Sequence, residues 1–205
     1  MANINNSWWT LNSDKLTTLF QHLSFRLQEN YTKPVEIVVC GGSALILSGL
    51  VVRTTMDVDI VALLLSDKLV SPDPLPADLV KAALEVAEDF NLAENWLNNG
   101  PSQGEGGLFQ LGLPEGFKER LHSYTYGEKL TVHIIDRVDQ IHFKLYASAD
   151  RGGYHVDDLI ALKPTDQELF NAARWAKTHD ISEGFKLVLK DLLRKLGYEA
   201  TAEKL

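Results

Sequence analysis

The sequence predicts an α/β (α+β) fold: a mixed sheet flanked by helices, with a helical C-terminal part. Short apolar runs of strand length at residues 35–40, 55–65 and 130–136 alternate with stretches of helical periodicity. Proline- and glycine-rich punctuation separates them, at SPDPLP (71–76) and NNGPSQGEGG (98–107). Beyond residue 139 only helical signals remain.

Leu16, Leu19, Phe20, Leu23 and Leu27 recur at helical spacing, with Asn12 or Ser13 placed to cap the helix. A turn around residues 31–34 leads into the first strand. A short helix over 43–50 and a second strand over 55–65 follow. The prolines of 71–76 make a loop, and Leu79, Ala83, Val86 and Phe90 make the next helical stripe. The glycine-rich segment 98–107 reads either as a mobile surface connection or as a lid, since long loops in compact domains are often functional. The third strand, LTVHIID, is followed by a helix that Asp139 is placed to cap, running through Asp150. Thr165 and Glu168 form a capping-box pattern ahead of Leu169, Ala172, Ala173 and Ala176. Ser182 caps the last predicted helix, whose inward side is Phe185, Val188, Leu189, Leu192 and Leu196, with Gly197 as its stop.

The chain has 205 residues, room for one substantial domain or a core with a helical appendage. The reading places a core over 1–138 and a helical region over 139–205. With 45% hydrophobic and 23% charged residues, the composition is that of a globular protein. No apolar run approaches the ~18 residues of a membrane span, so no membrane partner is expected. The N-terminal MANINNSWWT lacks the basic and apolar regions of a signal peptide. The single cysteine, Cys40, forms no internal disulfide and reads as a buried strand residue. A cytoplasmic, reducing setting is therefore expected. A net charge of -8 argues against a surface coated for nonspecific nucleic-acid binding, while leaving room for a local basic face.

The informative stretch is VVCGGSALILSGLVVRTTMDVDI, residues 38–60. In a strand, Asp57 and Asp59 share one face, with Met56, Val58 and Ile60 on the other. Their Cα atoms lie roughly 6.5–7 Å apart. Two carboxylates that close repel each other, and apolar neighbours solvate them poorly. A divalent cation between them removes the conflict, and hard Mg²⁺ prefers carboxylate and phosphate oxygens. Gly41 and Gly42 at a strand-to-helix turn admit close backbone approach, and the helix that follows offers N–H groups to an anion. Ser43 adds a hydroxyl able to hold a phosphate oxygen. Neither G-x-G-x-x-G nor a Walker-type loop is present.

GGSAL, then Arg53-Thr54-Thr55, then Asp57-Val58-Asp59 resembles the signature of the polymerase-β-like nucleotidyltransferase superfamily. More narrowly it is similar to the bacterial branch related to AbiEii-type toxins of type IV toxin–antitoxin systems. LNNGP (97–101), LPEGF (113–117), FKLYASADR (143–151) and the following DDLIAL also resemble that branch. The resemblance implies a nucleotidyltransferase-like mixed sheet and transfer of an NMP from an NTP to a hydroxyl. It implies Mg²⁺ held by Asp57 and Asp59, and a nucleotide held by Gly41, Gly42, Ser43 and Arg53. It implies Lys144 as a catalytic assistant, RNA or tRNA among the acceptors, and an antitoxin-type protein as partner.

Departures from the pattern define the rival reading. Active members carry a third carboxylate on a neighbouring strand, and His133 falls where the resemblance expects it, with Asp136 one register out of phase. Lys144 matches the lysine of the AbiEii-like toxins, and Asp158 matches the second member of their acidic pair. His155 stands where the first acid would be. Lys144 either touches a triphosphate or forms a surface ion pair. Arg53 either contacts phosphate or balances the two acids. The rival is a noncatalytic nucleotidyltransferase-like module that binds a nucleotide or a partner. The six histidines lack zinc-site spacing. Trp8 and Trp9 read as docking aromatics. Lys186, Lys190, Arg194 and Lys195 form one basic helix face, either solvated or facing RNA.

Overall fold

Capping and periodicity set the first element of the computed structural model, which describes residues 10–30 and 32–205. Trp8, Trp9 and Tyr31 lie outside the described residues. Helix α1 (Ser13–Glu29) starts at Asn12, whose side chain accepts from the Lys15 N–H at 2.9 Å. Its leucine stripe and Phe20 are buried. The chain divides into two compact units, one running to Gln110 and including Lys118–Ile135, the other Leu111–Phe117 with Asp136–Leu205.

In the first unit, β1 (Val35–Cys40) turns directly into α2 (Gly41–Leu47). The helix begins two residues before its predicted start because Gly41, at φ +69°, makes the turn in one step. Then come β2 (Val58–Leu65), β3 (Lys68–Val70), α3 (Ala77–Phe90) and β4 (Leu97–Asn98). A 3-10 turn at Gly100–Ser102, α4 (Leu108–Leu111), a second 3-10 turn at Lys118–Arg120, β5 (His122–Tyr126) and β6 (Leu130–Ile134) complete the order. The sheet runs β3-β2-β1-β6-β5, with β4 on β2. It is mixed, since β1 pairs antiparallel with β2 and parallel with β6. The α+β class expected from the sequence is the class observed.

Strand β2 starts at Val58, not at Thr55. Thr55 instead forms a separate bridge with Leu11, by Leu11 N–H to Thr55 O at 2.7 Å and Thr55 N–H to Leu11 O at 3.0 Å. Met56 between them is 69% exposed, so the apolar alternation begins only at Val58. The glycine-rich loop is anchored rather than merely connecting. Ser102, fully buried, donates to Val61 O at 2.7 Å, and Gly104 N–H donates to Asp73 at 2.8 Å.

The second unit contains α5 (Arg137–Asp150), α6 (Tyr154–Ala161), α7 (Asp166–His179), α8 (Glu183–Lys195) and α9 (Glu199–Glu203). The cap of α5 is Asp136, which accepts from Val138 N–H at 2.8 Å, not Asp139, which is fully buried inside the helix. The extended backbone at Asp136 fits an N-cap, so the helix starts as soon as the strand ends. The predicted capping box at Thr165 and Glu168 is present. In α8, Leu189 and Leu193 hold the core, while Val188 is 48% exposed. Buried neighbours four residues apart select a narrower stripe than the predicted one. Leu111–Phe117 joins this unit because Trp175 Nε1–H donates to Gly112 O at 3.0 Å and Phe117 stacks on Phe143. Among the described residues no helix is long and apolar enough to cross a membrane.

Candidate active site

The last residue of β1 pairs with the second aspartate, Cys40 opposite Asp59, which sets Asp59 level with the glycine turn. Asp59 Oδ2 lies 2.6 Å from where a Cβ on Gly41 would stand. A side chain there would have to displace the Asp59 carboxylate, and the positive φ of Gly41 disfavours one independently. A Cβ on Gly42 would lie 2.9 Å from both Thr55 Oγ1 and Arg53 Nη2. Thr55 Oγ1 in turn donates to Asp57 Oδ1 at 3.3 Å. Both carboxylates therefore gather at the same two glycines.

The backbone that carries them is fixed from behind. Val58 and Ile60 are fully buried, while Asp57 and Asp59 between and before them are half-buried. Val58 N–H donates to Trp96 O at 2.6 Å, and the buried Trp96 indole donates to Ala83 O at 2.9 Å. Leu97 and Asn98 pair beside Val58 and Asp59. The strand is thus held on both edges at Asp59, with the β1 ladder on one side and β4 on the other.

The structure brings together Gly41, Gly42, Arg53, Asp57 and Asp59 within the first unit. Arg53 places its guanidinium against Gly42 while Nη1 donates to Thr54 O at 2.9 Å. Ser43, expected to hold a phosphate oxygen, is 1% exposed and donates to Cys40 O at 3.2 Å. Its hydroxyl closes its own turn, because the residue falls on the inward side of α2. Thr55 is the participant that sequence reasoning assigned no role. Its place is set by the bridge to Leu11, a distant pairing that no local pattern announces.

The neighbouring strand supplies no acid at this level. Val39 pairs with Ile134, so the residue beside Cys40 is Ile135, which is fully buried. His133 lies two residues before Ile135, opposite Val38, and does not stand level with Asp59. Asp136 caps α5. Among the described residues no group of three or more His, Cys, Asp or Glu side chains converges to hold a metal. Two carboxylates beside a glycine turn still fit one hard divalent ion whose remaining positions are filled by substrate oxygens and water.

Lys144 belongs to the second unit. It is 4% exposed, and its Nζ lies 2.8 Å from Asp158 Oδ2, itself 4% exposed. The pair is buried, not a surface ion pair. Tyr154 covers it, with Lys144 Nζ 5.7 Å from the ring centroid. Arg151 is exposed beside Asp150. On α8, Lys186 and Lys195 pair with Glu183 and Asp191 of the same helix, which offsets part of its basic face.

No family model, curated protein or solved structure matches this chain.

Proposed function

We propose that the chain is a Mg²⁺-dependent nucleotidyltransferase, moving an NMP from an NTP to a hydroxyl acceptor with release of pyrophosphate. The observation that carries this reading is the seating of Asp59 against Gly41, with Asp57 drawn to the same turn through Thr55. Asp57 and Asp59 would hold the ion. When bound, it neutralises the triphosphate and stabilises the pyrophosphate leaving group. Thr55 bonds to Asp57, and Gly41, partly exposed and without a side chain, would let a polyphosphate approach beside Asp59. Arg53, beside Gly42, supplies a guanidinium suited to phosphate oxygens. Lys144, RNA or tRNA as acceptor, an antitoxin-type partner and a cytoplasmic setting enter by resemblance alone.

A second reading is a noncatalytic module that binds a nucleotide or a partner. Ile135 at the level of the missing acid favours it, as does Arg53, which already places a positive charge at the turn. The two separate on incubation with labelled NTPs, Mg²⁺ and total RNA. Label should appear in RNA and vanish in Asp57→Asn. Absence of transfer together with absence of Mg²⁺-dependent NTP binding would leave the module as the function.

A further inference from the structure

A second chemically organised cluster lies on the same sheet, away from the glycine turn. Ser123 of β5 is directly opposite His133 of β6, and its Oγ is 2.8 Å from His133 Nδ1. The other ring nitrogen, Nε2, is 2.9 Å from Glu36 Oε2 on β1. Glu36 pairs with Thr131, two residues before His133, so the carboxylate reaches the ring diagonally on one face. With Glu36 as acceptor, the neutral ring carries its proton on Nε2 and leaves the Nδ1 lone pair for the serine hydroxyl. The ring is 6% exposed and held at both nitrogens, whereas Ser123 is exposed.

We infer that Ser123, His133 and Glu36 form a nucleophilic serine site that accepts acyl groups from small activated esters. Ser123 is the nucleophile, His133 the general base, and Glu36 a positioning residue that sets the tautomer and orientation of the ring. Ser123 Oγ bonds to the ester carbonyl carbon as its proton passes to His133 Nδ1. The carbon–oxygen bond to the alcohol then breaks, and that proton leaves with the alcohol. Water attacks the acyl-serine with His133 again taking the proton. The Oγ–carbon bond breaks, and the free acid and the serine hydroxyl are restored. Small activated esters suit the site because residues 122–125 of β5 are exposed, which leaves the serine hydroxyl open to solvent.

The inference does not depend on nucleotidyl transfer. Its test treats the full chain with a fluorophosphonate probe and reads intact mass and the labelled peptide. One adduct on Ser123 is expected, with none on Ser123→Ala. His133→Ala should slow labelling by about 10²-fold or more, and added imidazole should restore it in this variant but not in Ser123→Ala. That rescue would not follow from a purely structural histidine. With p-nitrophenyl acetate, Glu36→Gln should lower kcat with KM little changed. An unlabelled wild-type chain, an adduct elsewhere, or His133→Ala reacting at the wild-type rate would overturn the assignment.

Discussion

In the first unit Asp57 and Asp59 sit half-buried over a glycine turn, whereas in the second Asp158 is 4% exposed with Lys144 Nζ at 2.8 Å. The two places handle carboxylate charge by different means. Asp158 is withdrawn from water and matched by a cation of its own unit, so its geometry is closed. Asp57 and Asp59 keep contact with solvent, at a turn where the Arg53 guanidinium lies against Gly42. Burial with a built-in partner makes a charge structural, whereas partial exposure leaves a carboxylate in contact with water.

The comparison breaks most clearly at Lys144. Lys144→Ala leaves Asp158 buried without its cation and should cost about 3–5 kcal/mol of stability. The denaturant midpoint reads this directly. Replacing both partners, as in Lys144→Met with Asp158→Leu, should recover most of the loss. A single variant as stable as wild type would show that the pair is not the closed structural element described.

The next effect falls at the turn. Gly41→Ala must hold a left-handed backbone at about 1–2 kcal/mol, and its Cβ would stand 2.6 Å from Asp59 Oδ2. Asp59 must move, so Mg²⁺-dependent NTP binding should weaken by more than the stability loss accounts for. Titration calorimetry beside a melt separates the two effects. Unchanged nucleotide affinity would sever the glycine from the carboxylate.

The smallest effect concerns a pair of intermediate exposure, Arg137 and Glu168. Arg137 Nη1 donates to Glu168 Oε1 at 2.6 Å, and Glu168 also completes the capping box of α7. The guanidinium holds the Glu168 carboxyl below its ordinary range, opposed by burial and helped by Thr165. Glu168→Gln keeps the capping contact but loses the ion pair, and should cost up to about 1 kcal/mol at neutral pH. A carboxyl with a depressed folded-state value contributes above its unfolded value of about 4.3 and loses that contribution as pH falls through the folded one. The gap between wild type and Glu168→Gln should therefore be constant near neutrality and close below about pH 4. A gap that persists at lower pH would make the cap, not the charge, its source.

Much of the first unit was readable because its signals are local. A strand, two glycines, a short helix and two alternating aspartates occupy adjacent positions, and Asn12, Thr165 and Ser182 announce helices within three residues of themselves. Reading failed where the deciding partner lies elsewhere. Asp139 looked like a cap until the end of β6 put Asp136 in extended backbone. Lys144 read as a triphosphate contact or a surface ion pair until α6 brought Asp158 to it. Ser43 looked like a phosphate ligand until the fold turned it toward Cys40. The strand β5 gave little signal because its residues from His122 to Thr125 are exposed, leaving no apolar alternation to detect.

The sequence by itself determined the α+β class and the caps of α1, α7 and α8, because periodicity and capping act over a few residues. Only the tertiary structure decided that Asp59 seats on Gly41, that Ile135 stands level with the glycine turn, and that Lys144 closes on Asp158. It also joined Glu36, His133 and Ser123 across three strands. Those outcomes depend on strand order and register, which a chain settles by pairing distant segments and burying their apolar faces together, not by any local preference.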